Sequence, residues 1–282
     1  MARKQAGATI LKMELPIKLI STDFDGTIFA EFETPPIPPQ LTELIGSLQA
    51  RGAKWAINTG RDISSLMESL GRAHIHIQPD YLVLVEREIY ERQGGRFVSV
   101  RHWNDACTAD HQALFTRVRP DVPTLANWIN SRFAASVYED VHSPLCIIAG
   151  NNGDMDEIHA RLDEYTASVP QLTLVRNDVY ARFSHANYNK GTALAEITRL
   201  TGLCREEVFV AGDHLNDLPM LSREFAAFIA APANAVPAVV RAVSAVGGFQ
   251  SRLPQGHGVR EALAHFLGET GCNPPTSLKQ GI

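Results

Sequence analysis

Two strand-type apolar runs in this chain each stop at an acidic string, and the two strings lie about 190 residues apart. Residues 17–20 lead into Asp23-Phe24-Asp25-Gly26-Thr27, and residues 208–211 lead into Gly212-Asp213-His214-Leu215-Asn216-Asp217. A buried strand that ends in carboxylates delivers them to the carboxyl edge of its sheet, where open α/β folds place ligands. Four acids gathered at one edge repel one another unless a cation sits among them. Oxygen donors with no adjoining Cys or His pair suit Mg²⁺ better than zinc. The strings therefore predict an α/β fold that carries out phosphate chemistry with a hard metal.

Organisation along the chain agrees with that class. Pro39 opens a helix with Leu41, Leu44, Ile45 and Leu48 on one face, and residues 55–57 form a strand ending in Asn58-Thr59-Gly60-Arg61. Ile63, Leu66, Met67 and Leu70 mark a second helix, with Gly71 read as lying beyond its end, and residues 82–85 a third apolar strand. Fully apolar strands alternating with helices predict parallel βαβ units. After Val85 the pattern changes. Residues 88–90 and 96–100 flank Gly94-Gly95 as a hairpin, a helical stretch runs to about 129, and strands are expected at 134–138, 144–149, 172–176 and 179–183, with a helix at 154–165. From Lys190 the first pattern returns, with a helix, the strand 208–211, a short helix near 218–221, a strand at 228–230 and a last helix at 259–267. The expected architecture is a doubly wound parallel-sheet (Rossmann-like) core, residues 15–85 plus 187–268. An α/β cap, residues 86–186, is inserted into it, and 1–14 and 269–282 are expected to be flexible tails.

Composition excludes other classes. A net charge of −5 argues against a general nucleic-acid binder. No apolar stretch approaches the roughly 20 residues that span a bilayer, and residues 1–15 lack a signal-peptide apolar segment. Cys107, Cys146, Cys204 and Cys272 are widely spaced, as expected of reduced thiols in a cytoplasmic protein. His74 and His76 have no third or fourth partner and are read as surface or core histidines.

Phosphoryl transfer needs a nucleophile, an acid for the leaving oxygen and positive charge on the equatorial oxygens. Asp23 and Asp25 meet the first two needs, and Gly26 lets the backbone turn toward a phosphoryl group. Thr59 and Gly60, at a strand end, offer a hydroxyl and an amide. Of 6 lysines against 20 arginines, Lys190 alone lies between Lys54 and Lys279. A compact ammonium opening a helix beside Gly191 suits a phosphate clamp.

In order and placement, Asp23–Thr27, Asn58–Arg61, Asn189-Lys190-Gly191-Thr192 and Gly212–Asp217 resemble the four motifs of the haloacid dehalogenase superfamily of aspartate-nucleophile phosphatases. The resemblance implies that Asp23 is the nucleophile and Asp25 the acid/base. It implies Mg²⁺ held by Asp23, the Asp25 carbonyl and Asp213 with Asp217 close by, and phosphate held by Thr59 and Lys190 with Asn216 assisting. An insert between the second and third motifs is similar to the cap of the Cof-type and sucrose-phosphatase-like enzymes, which mostly act on phosphorylated sugars and other small metabolites. Two departures are Glu86-Arg87-Glu88, where many relatives have Asn-Gly, and the bulky His214. Arg87, Arg182 and His185, near the two crossings, are the candidate readers of the leaving group. The alternatives are a phosphomannomutase-like sugar phosphomutase and a catalytically silent metabolite-binding protein. The expected partner is a small phosphorylated metabolite, with neither nucleic acid nor membrane, and the sequence does not set an oligomeric state.

Overall fold

The computed structural model describes residues 15–268, so the expectations for both tails and for Cys272 fall outside the described residues. Eight strands form one sheet: β1 (Leu19–Thr22), β2 (Lys54–Asn58), β3 (Tyr81–Leu84), β4 (Glu88–Gln93), β5 (Arg96–Ser99), β10 (Val208–Ala211), β11 (Phe228–Ala231) and β12 (Phe249–Gln250). Their order is β12-β11-β10-β1-β2-β3-β4-β5, and all run parallel except β4, which is antiparallel to both its neighbours. The chain leaves β1 toward β2 on one side and returns through β10 on the other. The topological switch point therefore lies at the carboxyl end of β1, where such folds open a crevice. Register brings the acidic strings together there, because Thr22 pairs with both Ala211 and Ile57.

Alternate residues of β1 and β10 feed two cores, as a strand's period of two requires. Ile20 and Phe209 pack with α1 (Pro39–Ala50), α2 (Ile63–Ala73) and α8 (Gln255–Phe266). Leu19, Val208 and Val210 pack with α6 (Lys190–Thr201) and α7 (Pro237–Ala245) on the other face. Between β5 and α6 lie α3 (Arg101–Val118), α4 (Val122–Asn130), β6 (Ala135–Tyr138), β7 (Cys146–Ala149), α5 (Asn152–Ser168), β8 (Leu172–Asn177) and β9 (Tyr180–His185). These four strands form a separate antiparallel sheet, β6-β7-β9-β8. It shares a third core with α4, α5 and the far half of α3.

The structure changes four expectations. The hairpin after Val85 extends the large sheet and does not open the cap, so a division at residue 86 cuts through that sheet. Helix α2 continues through Gly71, and its end is set by His74 in the left-handed region. The short helix near 218–221 is instead a 3₁₀ turn over Leu215–Asp217, because the Asp217 carboxylate accepts from the amides of Asp213 and His214 at 2.8 and 2.9 Å. Finally, α7 and β12 were not anticipated. Ala and Val dominate α7, and only Arg241 and Ser244 mark a polar face opposite its buried Val239 and Val243, a thin signal in nine residues.

Candidate active site

Asp23 follows β1 directly, and its amide donates to the Ala211 carbonyl at 2.9 Å, which ties it to the end of β10. The Lys190 ammonium, wholly buried, donates to Asp23 Oδ1 and Asp217 Oδ1, both at 2.6 Å. Lys190 arrives as the first residue of α6. Asn189 caps that helix through the amides of Gly191 and Thr192, and Asn58 Nδ2 donates to the Lys190 carbonyl at 3.0 Å. Asp213 accepts from the Thr27 hydroxyl at 2.8 Å and from Asn234 Nδ2 at 3.3 Å. Gly26 lies at φ +71, and a Cβ there would come within 2.4 Å of Asp213 Oδ2. Both conformation and space exclude a side chain. A Cβ on Gly212 would likewise meet Asp217 at 2.5 Å.

Burial, with repulsion from Asp217, raises the Asp23 carboxyl well above its usual range, although Lys190 opposes the shift. Burial and Asp217 push Asp213 up to about 7. Burial by itself would lower the Lys190 pKa, but Asp217 and Asp23 outweigh it and hold the ammonium charged. One ammonium does not neutralise these acids. Ligand atoms of Asp23, Asp213 and Asp217 lie within 4.8 Å of one another. Asn216 adds a buried Oδ1 that has no hydrogen-bond donor among the described residues. This hard, oxygen-only donor set fits a divalent cation such as Mg²⁺.

The adjoining cleft, about 150 Å³, is lined by Asp23, Asp25, Thr59, Gly60, Arg61, Glu86, Asn177, Tyr180 and Arg182. Arg61 grips Asp25 with two parallel bonds of 2.7 and 2.6 Å, and its third nitrogen reaches the hydroxyls of Ser65 and Ser69. Its guanidinium also lies over the rings of Phe24 and Phe29. A bidentate, stacked arginine fixes the carboxylate it holds. The Thr59 amide is spent on the Val83 carbonyl, while its oxygen accepts from the Arg61 amide, so the hydroxyl proton is what Thr59 has left to give. Glu86, at φ +67, accepts from Asn216 Nδ2 at 2.9 Å and from Arg182 at 3.3 Å. Arg182 also donates to the Val85 carbonyl at 2.7 Å. Five carboxyl groups (Asp23, Asp25, Glu86, Asp213 and Asp217) thus share three cations (Lys190, Arg61 and Arg182) at this edge.

The core residues named from sequence, Asp23, Asp25, Thr59, Gly60, Lys190, Asp213, Asn216 and Asp217, stand at this edge. Of the three candidate readers only Arg182 lines the cleft. His185 stands three residues on in β9, so strand alternation turns it to the opposite face. It packs against His111 and Tyr188. Arg87 bonds to the His142 carbonyl and the Ser184 hydroxyl, away from the cleft. Tyr180, on the Arg182 face of β9, was legible by the same alternation and was missed. Arg61, Glu86, Asn177 and Asn234 were missed as well.

A family model of haloacid dehalogenase-like hydrolases matches residues 128–254. The chain is 23% identical to Putative phosphatase YxeH of Bacillus subtilis (strain 168), over 89% of this chain and 98% of that protein. Among solved structures, it resembles the sucrose-phosphatase of Synechocystis sp. PCC6803 in complex with sucrose and phosphate. That match has a TM-score of 0.66 and 20% identity, covering 90% of this chain and 98% of the other. The subclass IIB sugar phosphatase BT4131 matches at a TM-score of 0.60 and 19% identity, over 88% of this chain and 98% of its own.

Proposed function

We propose that this chain is a haloacid dehalogenase-like hydrolase, a reading supported by the family-model match over residues 128–254 and by the fold, and that it is a Mg²⁺-dependent phosphatase that hydrolyses a small phosphomonoester through an aspartyl-phosphate on Asp23. The observation that carries the reading is Lys190, a buried ammonium shared between Asp23 and Asp217 at the switch point of the sheet. Structural neighbours named as sugar phosphatases support a sugar phosphate or related metabolite as substrate.

In this mechanism Asp23 attacks phosphorus, while Lys190 and the Thr59 hydroxyl hold the equatorial oxygens. Asp25 gives a proton to the leaving oxygen, then takes one from the water that opens the acyl-phosphate. Each carboxylate oxygen has two acceptor sites, so Asp25 keeps the Arg61 fork while it faces the leaving group. Arg61 is in this way a positioning residue. Asp23 and Asp213, with the Asp25 carbonyl and Asp217 beside them, would hold Mg²⁺, which when bound supplies positive charge to the phosphoryl oxygens. Asn177, Tyr180 and Arg182, from the smaller sheet, face the leaving-group side of the cleft as a lid over residues of the large sheet.

The direct test is a panel of phosphorylated sugars, nucleotides and cofactors, incubated with Mg²⁺ and assayed for free phosphate. EDTA should abolish release and added Mg²⁺ should restore it. Full activity in metal-free protein would contradict the metal assignment. An isomerised sugar phosphate in place of free phosphate would make the chain a mutase, and no turnover on any compound would make it a binding protein.

Arg182 separates substrate reading from phosphate chemistry. Losing a charged hydrogen bond to the leaving group costs about 1.5–3 kcal/mol. Arg182→Ala should therefore lower kcat/KM for the best sugar phosphate roughly 10- to 100-fold more than for p-nitrophenyl phosphate. Equal losses on both substrates would assign Arg182 to folding or to the shared phosphate site. Arg87→Ala, off the cleft, should show no such preference.

A further inference from the structure

We propose that the junction between the two sheets carries a second ligand site, for a short-chain monocarboxylate, built on Arg87. A cavity separate from the catalytic cleft, about 110 Å³, lies among Arg87, Glu88, Thr108, His111, Phe115 and His142, with Val141 at its mouth. Arg87 is only 5% exposed. Its terminal nitrogens reach two neutral acceptors, the His142 carbonyl at 2.8 Å and the Ser184 hydroxyl at 3.4 Å. No carboxylate of the described residues lies within ion-pair distance of it. Glu86, the nearest buried acid in sequence, is taken by Arg182 and Asn216. Burial, with repulsion from Arg182, lowers the Arg87 pKa, and Glu88 and Glu86, which attract it from beyond ion-pair distance, offset this only in part. A buried cation with no carboxylate bonded to it is costly, and a cavity at its side is where an anion would offset that cost.

The rest of the lining narrows the class. His111 brings no second positive charge, because its Nδ1 faces the Cys107 carbonyl at 2.7 Å and its Nε2 accepts from the His185 amide at 3.1 Å. Burial and the nearby Arg87 push it down to about 3. Glu88 stands at the rim with 27% of its side chain exposed and accepts from the Tyr90 hydroxyl. One buried positive charge behind a rim carboxylate favours a single negative charge over a polyanion. The guanidinium fork matches a carboxylate. Phe115 and Val141, the latter 94% exposed, offer apolar surface for a short alkyl tail. A ligand held on Arg87 would touch both sheets, because Arg87 lies between β3 and β4 of the large sheet and its bonded neighbour Ser184 lies near the end of β9 in the smaller one.

The test titrates propionate into the full chain labelled with ¹⁵N-histidine, following the His111 and His142 ring resonances. Saturable shifts of these two rings are expected, at millimolar propionate, with the other histidines unmoved. Arg87→Gln should remove the response and leave turnover of p-nitrophenyl phosphate unchanged. If that variant does not fold, Val141→Asp, at an exposed position, should weaken propionate binding at least tenfold by placing a negative charge at the mouth. Absence of saturable shifts, or an undiminished response in the soluble variant, would overturn the site. Equal affinity for sulfate would overturn the monocarboxylate class. None of these readouts depends on the phosphatase reading.

Discussion

Asp23→Asn is expected to lower turnover by about 10³-fold or more while the chain still folds and binds substrate. The amide has the shape of the carboxylate but cannot attack phosphorus. Lys190 would keep its second partner, since it also donates to Asp217 at 2.6 Å, so the ammonium is not orphaned. The Asp23 amide would keep its bond to the Ala211 carbonyl, which holds the end of β1 to β10. A fall in kcat at near-constant KM, measured in steady state on the best substrate with the melting temperature as control, would match loss of a group that acts in the transition state. Retention of more than a tenth of wild-type activity would sink Asp23 as nucleophile. Asp25, also in the cleft, would then be the carboxylate to test in its place.

What could be read beforehand follows from which signals are local. An apolar run that stops at an acid is local, so the ends of β1 and β10, and with them Asp23 and Asp213, were legible. Lys190 was legible because lysine is scarce along this chain. Arg61 was quoted within its motif but given no role, since its partner Asp25 lies 36 residues away and only the β1–β2 register brings them together. Glu86 stands in the sequence reading only as part of Glu86-Arg87-Glu88, where many relatives have Asn-Gly, and is given no role there. In the fold it is buried, at positive φ, between Arg182 and Asn216. The misplaced domain boundary has a similar origin. An antiparallel hairpin added to the edge of a parallel sheet breaks the βαβ rhythm just as a new domain does, and only pairing of Leu82 with Tyr90 distinguishes them. For His185 the parity of β9 was available, because a residue three positions from Arg182 must face the other way.

Lys190→Met should be the most damaging single change at the site after Asp23→Asn, and it should act on stability as well as on rate. The side chain is wholly buried, and each of its two carboxylate partners lies at 2.6 Å. Removing one member of a buried ion-pair system typically costs about 3–5 kcal/mol, because the charge left behind is uncompensated. Here two acids are left, with Asp213 close to both. Methionine fills much of the stem's volume, so the loss should report charge and not a cavity. Turnover should fall about 10²-fold or more, because positive charge on the transferring phosphoryl group disappears. The two effects separate by experiment. Thermal unfolding should show a lower melting temperature than Asp23→Asn under the same conditions, and Mg²⁺ should recover part of that loss by neutralising the same carboxylates. Turnover should not recover, since the added ion does not replace the ammonium on the equatorial oxygens. A variant with unchanged melting temperature and more than a tenth of wild-type activity would show that Lys190 neither supports the buried acids nor touches the substrate.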